Sequence, residues 1–190
     1  MIEKTEKIKL VSSDKSFHSF GYSHIFEKRI KWYLKYINAL KFFGIIVPLT
    51  IGAIALGYGA NNNILIYAIV IGTPIIILQL IISTLSIVYK WDDELAYSFE
   101  ATNDYNILYD EFQKLYNFPT QSSSDLENKF EVLIAKLNSR EQQNSRHKIT
   151  EKELRTGIRY SLREHKKECS GCNQIPTDMT PTKCGVCGNF

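Results

Sequence analysis

The feature that most constrains this chain is a run of 48 residues, from 42 to 89, that contains no Asp, Glu, Lys or Arg. All 23 basic and 20 acidic residues lie on the two flanks of this run. An α-helix rises about 1.5 Å per residue and crosses the hydrocarbon core of a bilayer with about 20 apolar residues, so the run has room for two crossings and a turn. The alternative is a buried hairpin inside a soluble bundle, but a chain of 190 residues is too short to cover so many uncharged ones.

The two predicted spans are residues 42–60 and 64–89, joined by a turn at three consecutive asparagines, Asn61, Asn62 and Asn63. Basic residues flank the hairpin on the side opposite this uncharged turn, at Lys28, Arg29, Lys31, Lys35, Lys41 and Lys90. The positive-inside rule therefore predicts that both termini lie in the cytoplasm. The amino-terminal segment is too polar for a cleavable signal peptide, so we expect insertion through the internal spans.

A polar stripe runs along the second predicted span. Gln79, Ser83 and Ser86 are spaced as i, i+4 and i+7, which places them on one helix face. This stripe is interpreted in two ways: it lines a pore in an oligomer, or it forms a seam that hydrogen-bonds to the first span or to its own helix backbone.

The region before the spans, residues 1–41, contains a basic, aromatic stretch with apolar residues near helical spacing. This pattern predicts an amphipathic helix next to the membrane. Its Trp32, Tyr33 and Tyr36 are expected either to lie on anionic lipid headgroups or to pack on the helix that follows the second span.

The region after the spans, residues 90–148, is predicted to be helical and cytoplasmic. An apolar stripe after Lys90 has a period near 3.6 residues and consists of Trp91, Leu95, Phe99, Leu108, Phe112 and Leu115 or Tyr116. This stripe suggests that the second span continues as a helix into the cytoplasm and that the helix ends at Pro119. A further helix is predicted with Ser124 or Asp125 as its N-cap and the apolar face Leu126, Phe130, Leu133, Ile134 and Leu137.

The last region, residues 149–190, begins with a capping box, Thr150 and Glu153, which predicts the start of a helix. Four basic residues recur every fourth position along this helix, at Arg155, Arg159, Arg163 and Lys167. Such a stripe can bind the phosphates of a nucleic acid, nucleotide or lipid, or it can simply be a solvated face with i,i+4 ion pairs.

All four cysteines of the chain lie in its last 22 residues, as two CxxC pairs separated by eleven residues: Cys169, Cys172, Cys184 and Cys187. Two such turns supply the four thiolates of a tetrahedral structural zinc site. Asn173 and Gly188 follow the pairs, and both residue types tolerate a left-handed backbone. The redox alternative, two disulfides, does not suit a reducing cytoplasm. His165 is a spare ligand or the cationic end of the preceding helix.

The sequence indicates an all-α membrane protein: a two-span transmembrane helical hairpin with cytoplasmic helices and a small C-terminal zinc-knuckle tail. We expect no enzyme, since the sequence lacks a Gly-rich phosphate loop, an HExxH motif and a nucleophile elbow. A single hairpin cannot enclose a water-filled path, so conduction would require a homo-oligomer.

The basic aromatic stretch, the hairpin and the segment starting at WDDELAYSFEATNDYNILYDEF together resemble the SLATT group of two-transmembrane proteins, over roughly residues 20–145. The pattern CSGC, eleven residues, then CGVC is similar to that of the mobilome CxxCx(11)CxxC proteins. The first resemblance implies a pore-forming effector of a bacterial conflict system at the inner membrane, triggered by a sensor protein or a nucleotide signal. The alternative is a membrane-anchored zinc-binding adaptor that recruits a protein or nucleic-acid partner without conducting ions.

Overall fold

A computed structural model describes residues 2–59, 63–117 and 123–190 of the chain. These residues form five α-helices and one 3-10 helix, and no β-strand occurs within the three ranges: α1 Ile2–Tyr58, α2 Asn63–Val88, α3 Trp91–Asn117, α4 Ser123–Asn144, the 3-10 helix Ser145–His147, and α5 Glu151–Glu164. The expected all-helical architecture is confirmed for this part of the chain. Asn61 and Asn62 of the predicted turn, and Pro119, lie outside the described residues.

Helix α1 is much longer than the predicted helix next to the membrane, because it begins at Ile2 and includes the first apolar span. It ends at Tyr58, where Gly59 takes up a left-handed conformation with φ 81°. The Gly59 N–H donates to the Ala55 carbonyl at 3.1 Å. A glycine in this conformation directly after a helix is a common stop, because it has no side chain to oppose positive φ.

The prediction that the second span continues without a break is wrong. Helix α2 ends at Val88, Tyr89 and Lys90 form a turn, and α3 starts at Trp91. Lys90 has φ 51°, and its N–H donates to the Ile87 carbonyl rather than to the residue four positions earlier. A left-handed residue cannot propagate a right-handed helix, so the apolar period of α3 is restarted at this point.

The chain divides into two compact units. The hairpin unit is Ile30–Ala96, and the bundle unit consists of Met1–Arg29 with Tyr97–Phe190. The predicted boundaries at 41 and 90 therefore fall inside the hairpin unit, because the flanking turns of helix pack with the apolar helices.

The hairpin unit exposes large apolar side chains along both of its long helices. Leu49, Leu80 and Ile87 have 63%, 63% and 76% of their surface exposed. By length and composition α1 and α2 can each cross a membrane. Soluble proteins seldom expose a continuous apolar surface of this kind.

An aromatic cluster closes one end of the hairpin unit. The ring of Trp91 lies 5.3 Å from that of Trp32 and 6.3 Å from that of Tyr36, measured between centroids. The alternative in which the aromatic residues of α1 pack on the helix after the second span is therefore confirmed.

The bundle unit is built around an apolar core shared by α1, α3 and α4. Phe26, Tyr105 and Phe112 are fully buried, and the wider cluster also contains Ile8, Ala101, Leu108, Leu115, Leu126, Leu133 and Leu137. The predicted face of α4 is confirmed, with Phe130 and Ile134 at its edge.

Two details of these helices were predicted wrongly. Phe99 is 50% exposed because it lies nine residues, or about 2.5 turns, before Leu108 and so on the opposite face of α3, whereas Tyr105 lies on the Leu108 face and is buried. Helix α4 begins at Ser123, so Ser124 and Asp125 lie in its first turn and neither is the N-cap.

Candidate metal centre

Helix α5 places the cysteine segment, and its start is fixed locally as the sequence predicts. The Thr150 hydroxyl accepts from the Glu153 N–H, and the Glu153 carboxylate accepts from the Thr150 N–H, which completes the capping box. The carboxylate of Glu153 also accepts from Arg29 of α1 at 2.6 Å. Burial opposes the charge on Glu153, but the hydrogen bonds from Arg29 and Thr150 outweigh it and lower the pKa of this carboxyl.

The first CxxC pair sits in a tight turn that begins shortly after α5. The Asn173 N–H donates to the Cys169 carbonyl at 2.8 Å, and the Gly171 N–H donates to the Cys169 sulfur at 3.4 Å. Asn173 has φ 55°, so its predicted left-handed conformation is confirmed. The turn presents Cys169 and Cys172 on the same side.

The second CxxC pair forms a matching turn, but for a different reason than predicted. Gly188 is not among the described residues with positive φ. A Cβ atom at Gly188 would instead lie 1.9 Å from the Thr182 hydroxyl oxygen and 2.9 Å from the Thr182 carbonyl oxygen. Glycine is required here for close approach, because the Thr182 N–H donates to the Gly188 carbonyl at 2.9 Å.

The four sulfurs converge. Their Sγ atoms all lie within 4.8 Å of one another, with Cys169 to Cys184 and Cys172 to Cys187 both at 3.9 Å. Four thiolates about 2.3 Å from a zinc ion would form a tetrahedron with edges of about 3.8 Å, which these distances fit. A disulfide needs about 2.05 Å between sulfurs, and all four cysteines are free.

The surroundings of the two sulfurs in the second CxxC pair differ. Backbone N–H groups of Cys187 and Val186 lower the pKa of the Cys184 thiol to about 6. Burial raises the pKa of the Cys187 thiol, which is 1% exposed. A metal ion binds the deprotonated form of all four, so the donated N–H groups favour the ligand state and burial keeps water away.

Within the bundle unit, the centre packs on two helices through apolar contacts. Cys169 and Cys187 pack with Leu162 and Ile158 of α5 and with Phe17 of α1. Helices α5 and α1 in turn cross closely at two glycines: a Cβ at Gly157 would lie 2.7 Å from the Gly21 carbonyl oxygen. The four-cysteine tail is therefore packed against both helices.

The basic stripe of α5 is largely used within the chain. Arg159 is buried and donates to the Asp178 carbonyl at 2.8 Å, so the interpretation of this residue as part of an exposed phosphate-binding face is wrong. Arg155 donates to the Asn189 carbonyl at 3.0 Å and to Glu151 at 2.7 Å.

The last two basic residues of the stripe, Arg163 and Lys167, have fewer contacts with the four-cysteine tail than Arg155 and Arg159. The guanidinium of Arg163 binds Glu164 and lies over the ring of Tyr160, while the Lys167 ammonium lies 5.2 Å from the centroid of the Phe17 ring. Phosphate binding at this end stays a prediction.

His165 is not near the sulfurs as a ligand. It is the C-cap residue of α5, its Nδ1 lies 3.0 Å from the Ser161 carbonyl, and its ring packs edge-on against Phe17 and Phe20. The four-sulfur group found in the described residues does not contain it.

The polar stripe of α2 faces α1 within the hairpin unit. Gln79, Ser83 and Ser86 are half-buried, and the Gln79 side-chain amide donates to the Leu40 carbonyl at 3.4 Å. That amide covers Gly44, where a Cβ would lie 2.5 Å from its nitrogen. This is the contact expected of an intramolecular seam, and pore lining stays a prediction.

Sequence reasoning missed two parts of the site. Asp178 lies in the loop between the CxxC pairs and anchors it to α5, and no local pattern distinguishes it from an ordinary loop aspartate. The close packing at Gly157 could have been predicted, because a glycine in a helix interior costs about 1 kcal/mol relative to alanine and therefore often indicates that another element approaches closely.

These features define an all-helical protein that has two helices of membrane-spanning length and a C-terminal four-cysteine centre suited to a metal ion such as zinc. The chain matches the model of the mobilome CxxCx(11)CxxC protein family over residues 10–190, and it belongs to that family. Membership gives the chain a mobile-element context. No curated protein and no solved structure matches it.

Proposed function

We propose that this protein is an oligomeric pore-forming effector of a bacterial mobile-element or antiphage conflict system, gated through its cytoplasmic bundle unit. The observation that carries the proposal is the exposed apolar surface of the hairpin unit together with a half-buried polar stripe. In a membrane the apolar surface would face lipid, and the stripe would supply the polar face that several copies need to enclose water. The resemblance to the SLATT group supports the same role.

The proposed location is the bacterial inner membrane, with both termini in the cytoplasm. The basic residues before the first span and at Lys90 support this orientation. The proposed partners are lipid, further copies of the chain, and a sensor protein or nucleotide signal.

The proposed closed state is one in which the polar stripe is satisfied within each hairpin. The Gln79 amide bonded to the Leu40 carbonyl supports this state, because the same amide would have to turn away from α1 to face water. Opening then requires a shift of α1 against α2. The bundle unit, which contains the first part of α1, is the proposed source of that shift.

The same hydrogen bond also favours a second candidate, a membrane-anchored zinc-binding adaptor. If the seam is permanent, the hairpin only anchors the protein and the metal-centred tail recruits a protein or nucleic-acid partner. No catalytic role is proposed for either candidate.

The test compares membrane potential and dye entry in bacteria that express the full chain or variants inserted at equal level. The triple variant Gln79→Leu, Ser83→Leu, Ser86→Leu removes the stripe. Its matched control is Thr84→Val, since Thr84 is exposed on the same helix and donates only to the Leu80 carbonyl one turn earlier.

Depolarisation by the wild type and by the Thr84 variant, but not by the triple variant, supports the pore. Depolarisation by the triple variant at the wild-type level would rule out the stripe as the pore lining. If no chain depolarises the cells, even with the metal centre removed by Cys184→Ser, the adaptor is favoured.

A further inference from the structure

Arg159 is a buried arginine whose guanidinium lies between the metal centre and the loop that joins its two halves. Its side chain is 7% exposed. Nε donates to the Asp178 carbonyl at 2.8 Å, Nη2 donates to the Asp178 carboxylate at 3.2 Å, and Nη1 donates to the Cys187 carbonyl at 3.4 Å. The same Nη1 lies 4.0 Å from the Cys187 sulfur.

A buried guanidinium is costly unless negative charge compensates it. The carboxylate of Asp178 is 62% exposed, so water screens its side of the pair. On the other side, four thiolates around a divalent ion would carry two surplus negative charges, and of the four cysteines Cys169 and Cys187 are each 1% exposed while the other two are half-buried. A metal-loaded centre would thus be the larger uncompensated charge, and the guanidinium of Arg159 contacts the cysteine group at Cys187.

We propose that Arg159 is a positioning residue of the metal centre. It ties the loop at Asp178 and the turn at Cys187 to one rigid point on α5, so that the second pair of sulfurs meets the first, and its charge offsets that of the metal tetrathiolate. Hydrogen-bonded groups around metal ligands commonly contribute 10- to 100-fold to metal affinity. The inference concerns the metal centre alone and holds whether the hairpin conducts or only anchors.

The test uses the full-length protein in detergent, with Zn²⁺ affinity measured by competition with a chromogenic chelator. Arg159→Gln removes the charge and the fork of donors, and we expect a 10- to 100-fold weaker affinity. Arg159→Lys keeps the charge and should recover part of the loss. The matched control is Arg163→Gln on the next turn of α5, whose guanidinium binds Glu164 and lies over Tyr160; its affinity should stay within about twofold of the wild type.

A second readout reports the ligand geometry directly. In the Co²⁺-loaded protein the visible ligand-field bands should shift in Arg159→Gln and stay unchanged in Arg163→Gln. An effect on general stability alone would leave the bands of the loaded centre unchanged.

Wild-type affinity and wild-type Co²⁺ bands in a helical Arg159→Gln protein would overturn the proposal. An equal loss in Arg163→Gln would do the same, because the effect would then be one of overall charge. If Arg159→Gln fails to fold, Asp178→Asn takes its place. This variant removes the exposed carboxylate and leaves the contact of Arg159 with the Asp178 carbonyl. A loss of Zn²⁺ affinity below about 10-fold together with a shifted Co²⁺ spectrum supports the proposal. Unchanged Zn²⁺ affinity and an unchanged Co²⁺ spectrum refute it.

Discussion

The crossing of α1 and α5 at Gly21 and Gly157 allows a quantitative test of how the tail is held. In Gly157→Ala the new Cβ would lie 2.7 Å from the Gly21 carbonyl oxygen and 2.9 Å from Ile25 Cδ1. The first of these neighbours is backbone, so the clash cannot be relieved by a rotamer change and the two helices must separate.

Two opposing effects set the size of the change. Alanine is favoured over glycine in a helix interior by about 1 kcal/mol. Overpacking a tight contact costs typically about 1–3 kcal/mol, and a backbone clash belongs at the upper end of that range. The expected net loss of docking free energy is about 1–2 kcal/mol, which corresponds to a factor of roughly 5–30 in the open population.

Amide hydrogen exchange in detergent measures this population. The amides of α5 should exchange about 5- to 30-fold faster in Gly157→Ala than in the wild type. Gly21→Ala should have a smaller effect, because its closest backbone contact, the Gly157 carbonyl oxygen, would lie at 3.0 Å rather than 2.7 Å, and its nearest neighbour, at 2.9 Å, is the Ser161 hydroxyl of a side chain. The control is Gly52→Ala, a helical glycine in α1 with open space around it, and it should leave α5 unchanged.

Exchange of α5 in Gly157→Ala that is as slow as in the wild type, or slower, would refute the reasoning. It would mean that helix propensity outweighs the contact, so the crossing would not hold α5 on α1.

Three further outcomes are expected. The first concerns Glu153, whose folded-state pKa lies below its ordinary 4.5. The stability contributed by its pair with Arg29 is therefore present above pH 4.5 and is lost as the pH falls through the lowered pKa. Helix content followed by circular dichroism should be less pH-dependent below 4.5 in Arg29→Gln than in the wild type. The second concerns Asn144→Ala, which leaves the buried Tyr105 hydroxyl without its amide partner. The free energy of unfolding, measured by denaturant titration, should fall by roughly 1–3 kcal/mol. An unchanged unfolding midpoint would show that water replaces the amide. The third concerns the four-cysteine tail. Removal of the metal by a chelator, or the variant Cys187→Ser, should make this tail sensitive to protease while α4 stays protected. A tail that is equally resistant to protease with and without metal would contradict a structural metal centre.

The features that the sequence predicts correctly are those decided by neighbours along the chain. Composition and length alone are enough to predict two long apolar helices from the uncharged run, and the capping box of Thr150 and Glu153 is a contact across three residues. Each CxxC pair sits in its own local turn, which the sequence predicts, whereas the meeting of the two turns also involves the hydrogen bonds from Arg159 of α5.

The features that the sequence does not predict depend on long-range packing. The break at Lys90 leaves no local signal, since lysine is an ordinary helix residue and yet has φ 51° here. Arg159 has the spacing of a solvated stripe, and its burial depends on a loop 19 residues away. The amino-terminal part of α1 was not predicted as a helix because its buried face is made of serines at Ser12, Ser16, Ser19 and Ser23, which hydropathy assigns to the surface.

That serine face bears on how firmly the first part of α1 is held in the bundle unit. Burial of a leucine side chain contributes about 1.5–3 kcal/mol, and a serine contributes almost none of this. Two of the serines are tied to α3, since Ser23 donates to Asn106 and Ser16 accepts from Gln113. The hydroxyls of Ser12 and Ser19 are buried with no hydrogen-bond partner among the described residues, which is unfavourable.

The large apolar contacts of the bundle unit are concentrated instead at Phe26, Tyr105 and Phe112. The serines of α1 therefore contribute little from burial, and this segment is held by apolar contacts at Ile8 and Phe17 and by the glycine crossing with α5. Since the metal-centred tail packs on Phe17, loosening of the tail removes one of the contacts that hold this segment. Because α1 also contains the first long apolar segment, local opening of the bundle unit is expected to begin at this serine face, where burial contributes little.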